Sequence, residues 1–163
     1  MQILIHSFVT SKLDFCNSLL FGLPKYEVDK LQMAQNAAAR VIAKLRKYDH
    51  ISQTLRDLHW LPIQERIIFK INLLSYKVLH DMAPQYLKEL IRRYEPRRQL
   101  RSSSDKWRLE KPRYKLESYG LRAFRVAAPK LWNKLPFGVR SADVIEQFKS
   151  KLKTYLFKIA YNL

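Results

Sequence analysis

One stretch constrains the fold of this chain more than any other. Ile63, Ile67, Ile68, Ile71, Leu74 and Val78, joined by Phe69 and Leu73, recur at helical spacing and spread over most of a helix's girth. A helix apolar on so many sides must be covered by others, so Ile63–His80 is predicted to be the centre of a core. Pro62 stands where a first-turn proline is tolerated. Arg66, Lys70 and Lys77 share its narrow remaining face, which reads as a solvated stripe. Three glycines in 163 residues disfavour a sandwich or barrel with many tight turns and exclude a glycine-rich phosphate loop. The predicted fold is therefore mostly α, an irregular helical bundle in one or two lobes, with a basic loop and room for one short β-hairpin.

Flanking segments supply the cover. Lys12–Phe21 is a short helix candidate stopped by Gly22-Leu23-Pro24. A longer helix is predicted over Tyr26–Arg46, with Leu31, Ala34, Ala38, Val41 and Leu45 on its apolar face and Asn36, Arg40, Lys44 and Lys47 opposite. Ile51–Leu58 is a short helix, and Pro84 starts another through Ile91. After Gly120, the helical spacing of Phe124, Ala128, Leu131 and Leu135 crosses Pro129, which implies a kink or two abutting helices. In the last helix Asp143 and Glu146 match a capping box, ahead of a buried stripe of Ile145, Phe148, Leu152, Tyr155, Leu156 and Ile159. Four segments result: 1–48, a helical core at 49–91, a basic Pro/Ser-containing loop at 92–118, and a C-terminal helical segment at 119–163. Within the loop, alternation around Trp107–Leu109 and Tyr114–Leu116 suggests the hairpin.

Charge then points to a partner. Thirty-one Lys and Arg against fourteen Asp and Glu leave a formal net charge of +17 on a chain that is 47% hydrophobic, so a folded body carries the excess rather than a disordered tail. Residues 51–91 are nearly neutral. Residues 92–115 hold ten basic and three acidic side chains, and residues 116–163 hold nine and three. A polyanion, RNA or DNA bound mainly through its backbone, is the expected partner. The candidate contacts begin with a smaller cluster, Arg40, Lys44, Arg46 and Lys47. They continue in the loop with Arg92, Arg93, Arg97, Arg98 and Arg101, then Lys106, Trp107, Arg108, Lys111, Arg113 and Lys115. Guanidinium groups hold phosphates, and Trp107, Tyr94 and Tyr114 could stack on unpaired bases.

Catalytic chemistries find little footing. No two acidic residues are adjacent, the nearest pair being Glu27 and Asp29, so no polymerase aspartate pair is present. None of the fourteen acids is followed two positions on by Lys, the spacing of a restriction-type nuclease. Cys16, His6, His50, His59 and His80 form no close pair of zinc ligands, so no metal and no cofactor is expected. His59 reads as a packed structural residue, His80 as a partner of a helix C-terminal dipole, and Cys16 as a small core residue. The lone cysteine fits a reducing compartment, nucleus or cytoplasm. The apolar opening Met1–Val9 lacks a positive n-region and a cleavage site, and no stretch reaches membrane-spanning length, so no membrane is expected.

Several blocks together carry a resemblance. They are Leu13-Asp14-Phe15-Cys16-Asn17-Ser18-Leu19-Leu20-Phe21-Gly22-Leu23-Pro24, Gln35-Asn36-Ala37-Ala38-Ala39-Arg40, Leu58-His59-Trp60-Leu61-Pro62 and Arg66-Ile67-Ile68-Phe69-Lys70. Ala83-Pro84-Gln85-Tyr86-Leu87, Leu100-Arg101-Ser102-Ser103 and Ala127-Ala128-Pro129-Lys130-Leu131-Trp132-Asn133 follow. In order and spacing they resemble the C-terminal region of reverse transcriptases of LINE-type, non-LTR retrotransposons of the jockey-like group. The resemblance implies a helical thumb up to about residue 48 and a C-terminal extension beyond it. In that family the palm with its metal-binding aspartates lies upstream, and neither it nor an endonuclease is present here. Family membership would make the chain a fragment of an RNA-directed DNA polymerase, with contact to template or primer as the surviving activity. The competing expectation is an orphan fragment of a mobile element. The face of Tyr26–Arg46 that once packed on a palm would then lie exposed and drive self-association.

Overall fold

The structure, a computed structural model, describes residues 2–95, 107–114 and 116–163. The chain is mostly helical. It divides into two compact units, one of Met1–Ile68 with Lys153–Leu163 and one of Phe69–Leu152. These units cut across the expected segments 49–91 and 119–163, because the helices Ile63–Leu79 and Ile145–Tyr161 each contribute residues to both.

In the first unit a helical run comprises α1 (Gln2–Ile5), a π-helical turn (His6–Thr10) and α2 (Ser11–Asp14). It is followed by a 3-10 turn at Asn17–Leu20 and by α3 (Lys25–Ala43). Gly22, at φ 78°, makes the reversal before Pro24, a conformation that costs glycine nothing. Cys16 is exposed and itself left-handed at φ 49°, not the core residue expected. Next come α4 (Ser52–Asp57) and α5 (Ile63–Leu79), and the final helix α10 (Ile145–Tyr161) closes the unit with its last residues. Ile5, Ala38, Ala39, Leu55 and Trp60 form the buried cluster, with Val9, Ile42, Ile51, Leu58 and Tyr161 packed on it. The Tyr161 hydroxyl donates to the Trp60 carbonyl at 2.6 Å, and burial, with Glu65 nearby, pushes that phenol up to about 12.

The buried face of α3 is Val28, Gln35, Ala38 and Ala39, whereas Ala34 and Val41 face solvent. The expected stripe was displaced because its centre is polar. Gln35, 1% exposed, donates from Nε2 to the Leu61 carbonyl at 2.9 Å, and Gln32 Oε1 accepts the Ile63 amide at 2.9 Å, satisfying a free N–H at the start of α5. Nearby, Arg66 is not a solvated stripe residue. Its Nη1 meets both Asp14 carboxylate oxygens at 2.9 and 2.8 Å, and its Nε donates to Leu61.

The second unit contains the C-terminal part of α5, short α6 (Gln85–Lys88) and α7 (Glu117–Gly120), then α8 (Phe124–Trp132), α9 (Phe137–Arg140) and the start of α10. Tyr76, Phe148 and Trp132 are fully buried: Tyr76 and Phe148 stack at 4.3 Å, Trp132 lies 5.6 Å from Phe148, and the Tyr76 hydroxyl donates to Ala142 at 3.0 Å. Pro129 sits inside α8, which ends three residues later. In α10 Phe148, Leu152 and Leu156 are buried as expected, but Ile159 is 52% exposed.

Four helices end alike. Lys44, His59, Asp81 and Asn162 each adopt positive φ, and the following amide bonds back across the turn: Leu45 to Arg40, Trp60 to Leu55, Met82 to Lys77 and Leu163 to Lys158, all within 3.0 Å. This is the left-handed helix stop usually given to glycine, made here by other residues.

Candidate nucleic-acid interface

The expected hairpin partner of Trp107–Leu109 is not Tyr114–Leu116. Leu109 pairs antiparallel with Arg93, through Tyr94 N–H to Arg108 carbonyl and Glu110 N–H to Arg92 carbonyl, both 2.9 Å. In such a pair the central residues turn their own N–H and C=O to the other side. There Asn133 meets both: its Oδ1 accepts the Leu109 amide at 2.9 Å and its Nδ2 donates to the Leu109 carbonyl at 2.8 Å. Trp132 Nε1 donates to the Trp107 carbonyl at 2.6 Å. The end of α8 thus stands in for a third strand, and Leu109 is 1% exposed.

Below this bridge runs an aromatic column. His80 stacks on Tyr76 at 4.0 Å and on Trp107 at 5.1 Å, and the Arg93 guanidinium lies 5.7 Å from the Trp107 ring. Burial, and then the Arg93 charge, lower the His80 pKa, so the imidazole is neutral at physiological pH. It therefore does not balance the α5 dipole. Arg93 does, donating from Nη2 to the Leu79 carbonyl at 3.0 Å. Arg93 and Trp107 are in this way engaged in holding the segment together. Tyr114 is 43% exposed but packed on Gly120, where a Cβ would fall 3.1 Å from its own Cβ.

What remains outward is basic. A cleft of about 240 Å³ is lined by Glu89, Leu90, Arg92, Glu110, Pro112 and Arg125. A second, of about 390 Å³, is lined by Tyr94, Arg108, Leu109, Glu110, Lys111 and Asn133, so the two share Glu110. Among the described residues none of Arg92, Arg108, Lys111 and Arg125 is in an ion pair, and Arg108 lies 6.0 Å over the Tyr94 ring. Four cations against two carboxylates leave a local positive surplus. Arg113 is exposed beside them in sequence. Arg97, Arg98, Arg101, Lys106 and Lys115 lie outside the described residues.

The other predicted cluster belongs to the first unit. Because α3 stops at Ala43, Lys44, Arg46 and Lys47 do not continue its stripe; all three are exposed, and Lys47 lies over the Tyr48 ring at 5.5 Å. Arg40 donates to the Asp49 carbonyl at 3.3 Å, and Asp49 accepts the Arg46 amide at 2.8 Å, forming a tight basic turn. Sequence reasoning missed Arg125, Glu110 and Asn133. Arg125 was visible only as one of many basic residues on a helix, and its neighbourhood to Arg92 depends on the bridge.

Among the described residues no group of three His, Cys, Asp or Glu side chains could hold a metal ion, and no helix is long and apolar enough to cross a membrane. Comparison with protein-family models, with curated proteins and with solved structures gives no match. Segments distant in sequence meet in the first unit, where Asp14 reaches Arg66 and Gln35 reaches Leu61.

Proposed function

We propose that this chain is a non-catalytic nucleic-acid-binding segment, derived from the thumb and C-terminal extension of a non-LTR retrotransposon reverse transcriptase, that holds template or primer by its backbone. The observation carrying this reading is the gathering of Arg92, Arg108, Lys111 and Arg125 around two adjoining clefts, none of them in an ion pair among the described residues. Unpaired guanidinium and ammonium groups in a concave surface favour phosphates, and Glu110 between them limits the strength. With four phosphates neutralised, log affinity should fall against log salt at a slope of about −2.8 on single strands. Arg92→Gln combined with Arg125→Gln should lower that slope by about 1.4. Salt-independent binding, or an unchanged slope in the double variant, contradicts the reading.

A second reading has an observation of its own. Tyr26, Met33 and Val41 on α3 are 63%, 62% and 55% exposed, and with exposed Ala34 and Ala37 they fall within an arc of roughly 100°. Such a stripe suits a body that once packed there, as in an orphan fragment. Self-association persisting at high salt in light scattering would favour this reading, and a monodisperse monomer would count against it.

A further inference from the structure

The three aromatic side chains of the basic region are not equivalent. Trp107 is held between His80 and Arg93, with its carbonyl gripped by Trp132, and Tyr114 is packed on Gly120. Tyr94 differs: it is 39% exposed, lines the larger cleft, and has the Arg108 guanidinium over its ring. Its backbone is fixed by the bond from its N–H to the Arg108 carbonyl, so the ring stands on a braced platform. Next to it, across Glu110, lie Arg92 and Arg125.

A base needs a flat apolar face with room beside it, and its phosphate needs a cation close by. The larger cleft, about 390 Å³, is within the size range that holds small ring systems. Duplex nucleic acid can offer this site only phosphates, because its bases are already stacked on one another. An unpaired strand can offer both groups at once. We propose that the cleft lined by Tyr94, Arg108 and Lys111 is a stacking subsite for an unpaired nucleobase, with Arg92 and Arg125 in the adjoining cleft holding the neighbouring phosphate. This rests on the nucleic-acid reading above and adds to it a preference for single strands.

The test compares fluorescence anisotropy of the full chain with a labelled short oligothymidylate, an abasic strand of equal length, and a duplex of equal length. Stacking predicts that oligothymidylate binds roughly 5- to 150-fold more tightly than the abasic strand. Tyr94→Leu should bring that ratio near unity while leaving the salt slope unchanged, and Tyr94→Phe should keep the ratio. Circular dichroism of each variant checks that it is folded, as expected for a half-exposed side chain. Equal binding of the thymidylate and abasic strands by the parent chain, or a ratio that survives in Tyr94→Leu, overturns the stacking subsite but leaves phosphate binding standing. Failure to bind any of the three strands at low salt overturns both.

Discussion

Asn133 lines the larger cleft and holds Leu109 beside it, so its removal should be felt in both stability and binding. Asn133→Ala leaves the N–H and C=O of Leu109, a residue 1% exposed, without their partners at 2.9 and 2.8 Å. A neutral hydrogen bond contributes about 0.5–1.5 kcal/mol net, and a buried polar group left unpaired costs about 1–3 kcal/mol, so the two together should cost about 2–4 kcal/mol. Asn133→Asp separates the two bonds. One carboxylate oxygen can still accept the Leu109 amide, but the other faces the Leu109 carbonyl oxygen and repels it until protonated. The folded state then prefers the protonated acid, which raises its folded pKa, so this variant should gain stability relative to Asn133→Ala as pH falls. Urea unfolding followed by tryptophan fluorescence measures both. Oligonucleotide affinity should fall roughly tenfold in Asn133→Ala, since Arg108 and Lys111 ride on the released segment. A cost below about 0.5 kcal/mol with unchanged binding would refute the view of Asn133 as a surrogate strand.

Three further outcomes are expected. Glu110→Gln should tighten oligonucleotide binding about threefold at low salt by removing a carboxylate from both clefts, as read by anisotropy; weaker binding would show that Glu110 supports the site instead. Lys44→Gly should raise stability by about 0.5–1 kcal/mol in thermal or urea unfolding, because glycine meets φ 54° without the Cβ clash that outweighs its entropy cost. Finally, the depressed pKa of His80 means the unfolded chain binds more protons just below pH 6.5, so stability from this group is present above that pH and lost as pH falls towards the folded value. Glu65, raised by burial, acts in the opposite sense at lower pH. Comparison with His80→Phe in unfolding titrations therefore isolates the histidine contribution.

Much of the helical plan was legible because it depends on local spacing. Helix Ile63–Leu79 begins at the predicted residue after Pro62, and Phe148, Leu152 and Leu156 fall on their expected stripe. The face of α3 was not legible, since Gln35 at its centre reads as polar, and only contact with Leu61 more than twenty residues on makes it a core residue. One helix end was misjudged for a related reason: with three glycines in the chain, the left-handed stop of α3 falls to Lys44, which carries no stop signal of its own, so the helix ends at Ala43 and not at Arg46. The site was half legible. Composition marks residues 92–115 as basic, but which cations are free is decided by tertiary contacts. Arg93 caps a helix and Trp107 stacks on His80, whereas Arg125, outside that loop, joins Arg92.

Photo-crosslinking of the full chain to a single strand carrying thio-substituted bases, with the attached peptides read by mass spectrometry, locates the bound strand without any substitution. The expected result is attachment at Tyr94, at residues 108–113 and at Arg125, diminishing as salt rises. Attachment confined to Arg40–Lys47 or to the lysines of the final helix, with residues 92–125 bare, would contradict the assignment of the paired clefts as the binding surface.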